Sequence, residues 1–140
     1  NQTMCVGRPE PANWESTFRY NMELFESLLD WAKPGRTFAD YSLFYKEEVD
    51  KRIAKVGGKP YVGVVFHTGG ALGDGPRMGW SRDDENSDLV IEPGMVFSIK
   101  PRVPIPGLET TSTQIGDGVL ITENGAQRLG RRKLEPIIIS

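Results

Sequence analysis

Ile91-Glu92-Pro93-Gly94-Met95-Val96-Phe97-Ser98-Ile99-Lys100-Pro101 reads as a turn running into a strand. Pro93-Gly94 supplies the turn pair. From Met95 to Lys100 the side-chain period of two puts Val96, Ser98 and Lys100 on one face. Further on, Gly118 to Thr122 is a second strand, and Glu123-Asn124-Gly125 is a turn with the left-handed Asn-Gly signal. Ile137 to Ile139 reads as a last, short strand. Between the first two, Pro101 to Thr113 is dense in proline and glycine and reads as a long connection.

Upstream, Tyr61 to Phe66 is β-branched and aromatic, the composition of a strand. The stretch from His67 to Pro76 is a Gly-rich loop, and residues 78–88 form a polar, exposed one. Earlier still, Trp14, Phe18, Met22, Phe25, Leu28, Leu29 and Ala32 recur at steps of three and four, which predicts an amphipathic helix over 14–32. Glu10, Pro11 and Asn13 mark its start, and Lys33-Pro34-Gly35 its stop. Thr37 with Asp40 three residues on is the pattern of a capping box. It opens a second helix whose buried stripe is Tyr41, Phe44, Tyr45, Val49, Ile53 and Ala54, ended by Val56-Gly57-Gly58. So short a turn makes the two helices pack together.

The order is helix, helix, then strands joined by turns, without βαβ alternation. That predicts an α+β fold, an antiparallel sheet covered on one face by the helices. No repeat and no linker divides residues 1–140, so one domain is expected.

Composition narrows the function. Seventeen Lys plus Arg against nineteen Asp plus Glu leave a net charge of −2, which argues against a nucleic-acid binder. No apolar run approaches the roughly 20 residues that span a bilayer. The start shows no secretory pattern and no initiator methionine, so the chain either begins mid-protein or is a trimmed form, and a cytoplasmic location is expected. A lone cysteine, Cys5, rules out an internal disulfide and a cysteine-built zinc site. A lone histidine, His67, rules out any mechanism that needs two within one chain.

Candidate chemistry is sparse. The glycines after His67 let the backbone pack closely or let a substrate approach the imidazole. They lack the Gly-Lys-Ser/Thr ending of a phosphate loop. Asp83-Asp84-Glu85 with Asp88 lacks calcium-loop spacing and reads as solvated surface. Arg131-Arg132-Lys133 reads as a solvated turn.

The opening stretch also closely resembles the segment EPGMVFTIEP of the M24 metallopeptidase family, which holds Xaa-Pro peptidases, creatinases and methionine aminopeptidases. Val119-Leu120-Ile121-Thr122-Glu123-Asn124-Gly125-Ala126-Gln127-Arg128-Leu129 is similar to that family's VLVTENGAERL. Val6-Gly7, then Pro11, then Lys33-Pro34-Gly35 resemble its helix lead-ins. The resemblance implies a pita-bread fold, a curved antiparallel sheet flanked by helices, of which this chain matches mainly the C-terminal half.

Such enzymes hold two divalent metals with two Asp, one His and two Glu, and the metals generate hydroxide at neutral pH. The resemblance puts the Asp pair before Asn1. It places the first Glu at Lys100 and the second at Gly116. An alignment through Pro76-Arg77 gives His67 the histidine position and brings Asp74 near a family Glu. An alignment through Thr68-Gly69 gives that position to Gly70. Replacing a carboxylate by Lys100 swings the local charge by two units, against Coulomb energies of about 4 kcal/mol per unit pair at close range. No metal cofactor is therefore expected, and the Lys100 ammonium is expected to fill a cation's space, paired with Asp74 or another acid.

The expectation is a degenerate, non-catalytic relative that binds a peptide or small acid, with His67, Arg77 and Lys100 as contacts. One alternative is an active hydrolase of the family. Another is a metal-free enzyme in which His67 is general acid or base and Asp74 orients it. A third is an interaction module, in which a self-associating homodimer could replace the absent half.

Overall fold

The computed structural model describes residues 4–6, 13–56, 66–68, 77–78 and 88–139. Among the described residues, two helices follow a short first strand. Helix α1 (Trp14–Trp31) buries Trp14, Thr17, Phe18, Asn21, Leu24, Phe25 and Leu28 on one face. Asn13 precedes it but makes no side-chain cap. Its amide instead donates to the Pro106 carbonyl at 3.3 Å, while Ser16 and Thr17 hydroxyls donate to the Asn13 carbonyl.

Helix α2 (Phe38–Val56) opens with the expected capping box. The Thr37 N–H donates to Asp40 Oδ2 at 3.2 Å, and the Asp40 N–H donates to Thr37 Oγ1 at 3.2 Å, so two otherwise orphaned donors are satisfied reciprocally. Tyr41, Tyr45 and Val49 are buried as read, and Phe44 is half-buried. Ala54 is exposed, a correction to the predicted stripe. The helices meet through Trp31, whose ring stacks on Phe44 at 5.5 Å and meets Tyr41 edge-on at 5.2 Å.

The turn between the helices is zipped onto the segment that leads into the central strand. Gly35 N–H donates to the Ile91 carbonyl, Ile91 N–H to Arg36, and Phe38 N–H to Leu89, at 2.8–3.0 Å. At the next turn Gly94 has φ +90°, in the left-handed region where only glycine is unstrained. That geometry aims its N–H at the Ile121 carbonyl, 2.8 Å away.

Among the described residues there are nine strands, in chain order β1 (Met4–Val6), β2 (Phe66–Thr68), β3 (Arg77–Met78), β4 (Val96–Ile99), β5 (Arg102–Ile105), β6 (Leu108–Gln114), β7 (Asp117–Thr122), β8 (Gly125–Arg128) and β9 (Ile137–Ile139). The main sheet is antiparallel with order β3-β2-β4-β7-β8. Two further pairs stand apart: antiparallel β5-β6 and parallel β1-β9, with Cys5 opposite Ile138. The core lies between the helices and these sheets. Phe97 of β4 meets Phe38 of α2 edge-on at 5.6 Å, and Asn21 of α1 donates to the Thr113 carbonyl of β6 at 2.9 Å.

The α+β reading holds, with three corrections. Residues 101–113 are not a connection but most of the β5-β6 hairpin, in which Val103 and Ile105 are buried in alternation around Pro104. Strand β8 continues directly from the Asn-Gly turn. The last strand pairs in parallel with a strand at the chain's start, which no local pattern announces. The predicted strand at 61–66 is described only at Phe66. The Gly-rich loop after Thr68 and residues 79–87, including Asp83-Asp84-Glu85, lie outside the described residues.

Burial raises the Tyr41 pKa well above 10.0, and the neighbouring Tyr45 adds to the shift. A raised folded-state pKa means the folded chain holds its proton where the unfolded chain releases it. Stability is therefore unaffected by this group below pH 10 and falls as pH rises beyond it. Tyr41→Phe is expected to flatten that alkaline loss, read from urea unfolding between neutral and strongly alkaline pH. An unchanged alkaline limb would contradict it.

Candidate functional site

The register of the main sheet assembles the site. Arg77 lies opposite His67, His67 opposite Ser98, and Ser98 opposite Gly118, so these four positions form one cross-strand row. Lys100 stands two residues beyond Ser98 on the same face, and Gly116 two residues before Gly118, which sets them against each other. Sequence reasoning placed His67, Arg77, Lys100 and Gly116 in one site, and the backbone brings these positions to one end of the sheet. Asp74 lies outside the described residues.

Lys100 and Gly116 are in intimate contact. A Cβ built at Gly116 would lie 2.6 Å from Lys100 Cγ and 3.3 Å from both Lys100 Cβ and the Ile99 carbonyl oxygen. The aliphatic stem of the lysine thus runs through the volume that any side chain at position 116 needs. Lys100 itself is half-buried. The expected acid partner for it is not present among the described residues. Ser98, Lys100, Gly116, Asp117 and Gly118 line a cavity of about 230 Å³.

This contact makes a prediction. Gly116→Ala is expected to cost about 1–3 kcal/mol by overpacking. In a Lys100→Ala background most of that cost is expected to vanish, a coupling of about 0.5–3 kcal/mol in a double-mutant cycle read by urea unfolding. Additive effects would mean the two residues do not share that space.

One feature of the site was invisible in the sequence. Arg128 of β8 donates from Nε to Asp117 Oδ2 of β7 at 2.7 Å, and from its guanidinium also to the Arg132 carbonyl. Asp117 accepts a further bond from the Gly118 N–H at 2.9 Å. A side chain at Gly130 would collide with that carboxylate. The latch ties residues 128–132 to the sheet. Arg131, Arg132 and Lys133 are exposed, as read, and they also form one wall of a second cavity of about 220 Å³, with Gly116, Asp117, Arg128, Gly130 and Leu134. The pairing spans eleven positions, and only the hairpin register brings the two residues together.

Among the described residues no group of three or more His, Cys, Asp or Glu could hold a metal ion. An ammonium and a glycine stand at the two positions matched to carboxylate ligands, and the stem of one fills the space of the other. Lys100 and Gly116 therefore offer no carboxylate to a two-cation centre at these two positions.

The structure defines an α+β domain, and comparison with known proteins identifies its family. The profile of metallopeptidase family M24 matches residues 1–123. A Xaa-Pro dipeptidase of Pyrococcus furiosus is 31% identical over 137 residues, 96% of this chain and 36% of that protein. A Xaa-Pro dipeptidase of Pyrococcus horikoshii is 28% identical over 139 residues, again 36% of its length. Among solved structures, a Xaa-Pro dipeptidase from Bacillus anthracis superposes with a TM-score of 0.77 over 99% of this chain and 36% of that one, at 24% identity. The prolidase from Pyrococcus furiosus superposes with a TM-score of 0.71 at 27% identity, over 94% of this chain and 36% of that one. The chain belongs to metallopeptidase family M24, with the pita-bread fold of its structural neighbours. It spans about a third of the length of the relatives it matches.

Proposed function

We propose that this M24 domain is a ligand-binding relative of the Xaa-Pro peptidases whose two-metal hydrolysis is lost. Its cleft then takes a peptide or small acid, with the Lys100 ammonium as the anchor for a carboxylate and positions 67 and 77 on the same sheet face as further contacts. The observation that carries this reading is the Lys100 stem lying 2.6 Å from where a Gly116 Cβ would be. The cationic head follows from charge: an ammonium beside two divalent ions is repelled by about 4 kcal/mol per unit pair at 4 Å, even at a moderate dielectric.

A second reading is favoured by the 31% identity to a Xaa-Pro dipeptidase: an active hydrolase of that kind. Hydrolysis of Xaa-Pro dipeptides separates the two. With manganese, cobalt or zinc supplied, the chain is expected to release proline no faster than buffer. Metal-stimulated, chelator-sensitive turnover would contradict the proposal and establish the hydrolase. Turnover that resists chelator and disappears in His67→Ala would instead establish a metal-free reaction.

A further inference from the structure

We infer that the two adjoining cavities at residues 98–134 form a binding site for a small multivalent oxyanion, a phosphate ester or a polycarboxylate. The cavities share Gly116 and Asp117 as a common wall. Their linings carry five cationic side chains, Lys100, Arg128, Arg131, Arg132 and Lys133, against a single carboxylate, Asp117. That carboxylate is already occupied by the Arg128 guanidinium at 2.7 Å and the Gly118 N–H at 2.9 Å. Among the described residues, Lys100, Arg131, Arg132 and Lys133 have no carboxylate partner. This concentration of positive charge occurs in a chain whose net charge is −2, so it is local and not a reflection of overall composition.

The segment is also held in place. Arg128 spends its guanidinium on Asp117 and on the Arg132 carbonyl, and the Asp117 carboxylate lies against Gly130. The backbone from 128 to 132 is therefore fixed on strand β7 while the neighbouring basic side chains remain available. Like charges gathered on a fixed backbone repel each other until a counter-anion joins them. Each guanidinium fork can pair with two oxygens of a phosphate or a carboxylate at once. A compact ligand with two or more negative charges meets Arg131, Arg132 and Lys133 in one cavity and Lys100 in the other.

The inference deepens the proposed reading of the cleft as a binding site, but its charge and geometry arguments do not require the loss of metals. Binding heat and hydrolysis are separate readouts, so either idea can fail alone. Isothermal titration of the chain with inorganic pyrophosphate, and separately with citrate, is the test. Saturable binding of one anion per chain is expected for at least one of them, and the stronger of the two names the source. In Arg131→Ala/Arg132→Ala the affinity is expected to fall by at least about tenfold, the scale of losing a charge-assisted bond. In Lys46→Ala/Lys51→Ala, which removes the same charge from helix α2, it is expected to change by less than about twofold. Unchanged thermal melting of both variants shows that folding is preserved. Absence of saturable binding by either anion, an equal loss in the α2 control, or a duplex oligonucleotide that displaces pyrophosphate would overturn the inference.

Discussion

Phe97→Ala is expected to destabilise the domain by about 3–5 kcal/mol, the usual cost of emptying a buried aromatic site. Phe97 is 1% exposed at the middle of the five-stranded sheet, with Thr68 opposite it on one side and Val119 on the other. Its ring meets Phe38 at the first turn of α2 at 66°, the edge-to-face arrangement that adds about 0.5–1.5 kcal/mol beyond burial alone. Emptying that position is expected to uncouple the helices from the strand that carries Ser98 and leads into Lys100. Because domains of this size are stable by only about 5–15 kcal/mol, the variant is expected to melt roughly 10–20 °C lower. Phe97→Leu, which keeps most of the volume, is expected to lose far less. A loss below about 1 kcal/mol in Phe97→Ala would mean that the contact between α2 and β4 does not organise the core.

The second large effect concerns metal. Carboxylate ligands at two facing positions neutralise and bridge a pair of divalent ions, and a bound pair stabilises the folded chain by mass action. At a metal concentration 100 times the dissociation constant the gain is about 2.7 kcal/mol. Here the facing positions hold Lys100 and Gly116, with the lysine stem in the space of the absent side chain. Manganese, cobalt or zinc is therefore expected to leave the melting temperature where it was. Restoring a carboxylate at either position alone is expected to leave the melting temperature equally insensitive to metal. A glutamate at 116 meets the Lys100 stem, and a glutamate at 100 faces a glycine.

How much of this was legible in the sequence depends on the range of the interaction. The stripe of α1 and the Thr37–Asp40 capping box are local, and both could be read directly. The strand Val96–Ile99 was legible because Pro93-Gly94 announces the turn before it. Its match to a family segment then carried the fold class. The β5-β6 hairpin was missed because Pro101, Pro104 and Pro106 look like breakers. In a two-stranded ladder each strand has an unpaired edge, so Pro104 is tolerated within it. Strand β8 was missed because Gly125, Ala126, Gln127 and Arg128 include no β-branched or aromatic residue. The pairing of Cys5 with Ile138 joins the two ends of the chain, beyond any periodicity.

The site divided in the same way. Lys100 and Gly116 could be singled out by alignment to a motif, but their mutual contact required the register of β4 on β7. Arg131-Arg132-Lys133 was read as solvated, and it is exposed, but nothing in the sequence shows that Arg128 and Asp117 join. That bond brings the run beside Gly116.

The central claim is that this M24 scaffold no longer holds a metal pair, and the most direct measurement is metal content. The chain is dialysed against excess manganese, cobalt or zinc, freed of loose ions by desalting, and analysed by inductively coupled plasma mass spectrometry. The account predicts far less than one divalent ion per chain. Two tightly held ions per chain, lost together with a drop in melting temperature on adding chelator, would contradict it.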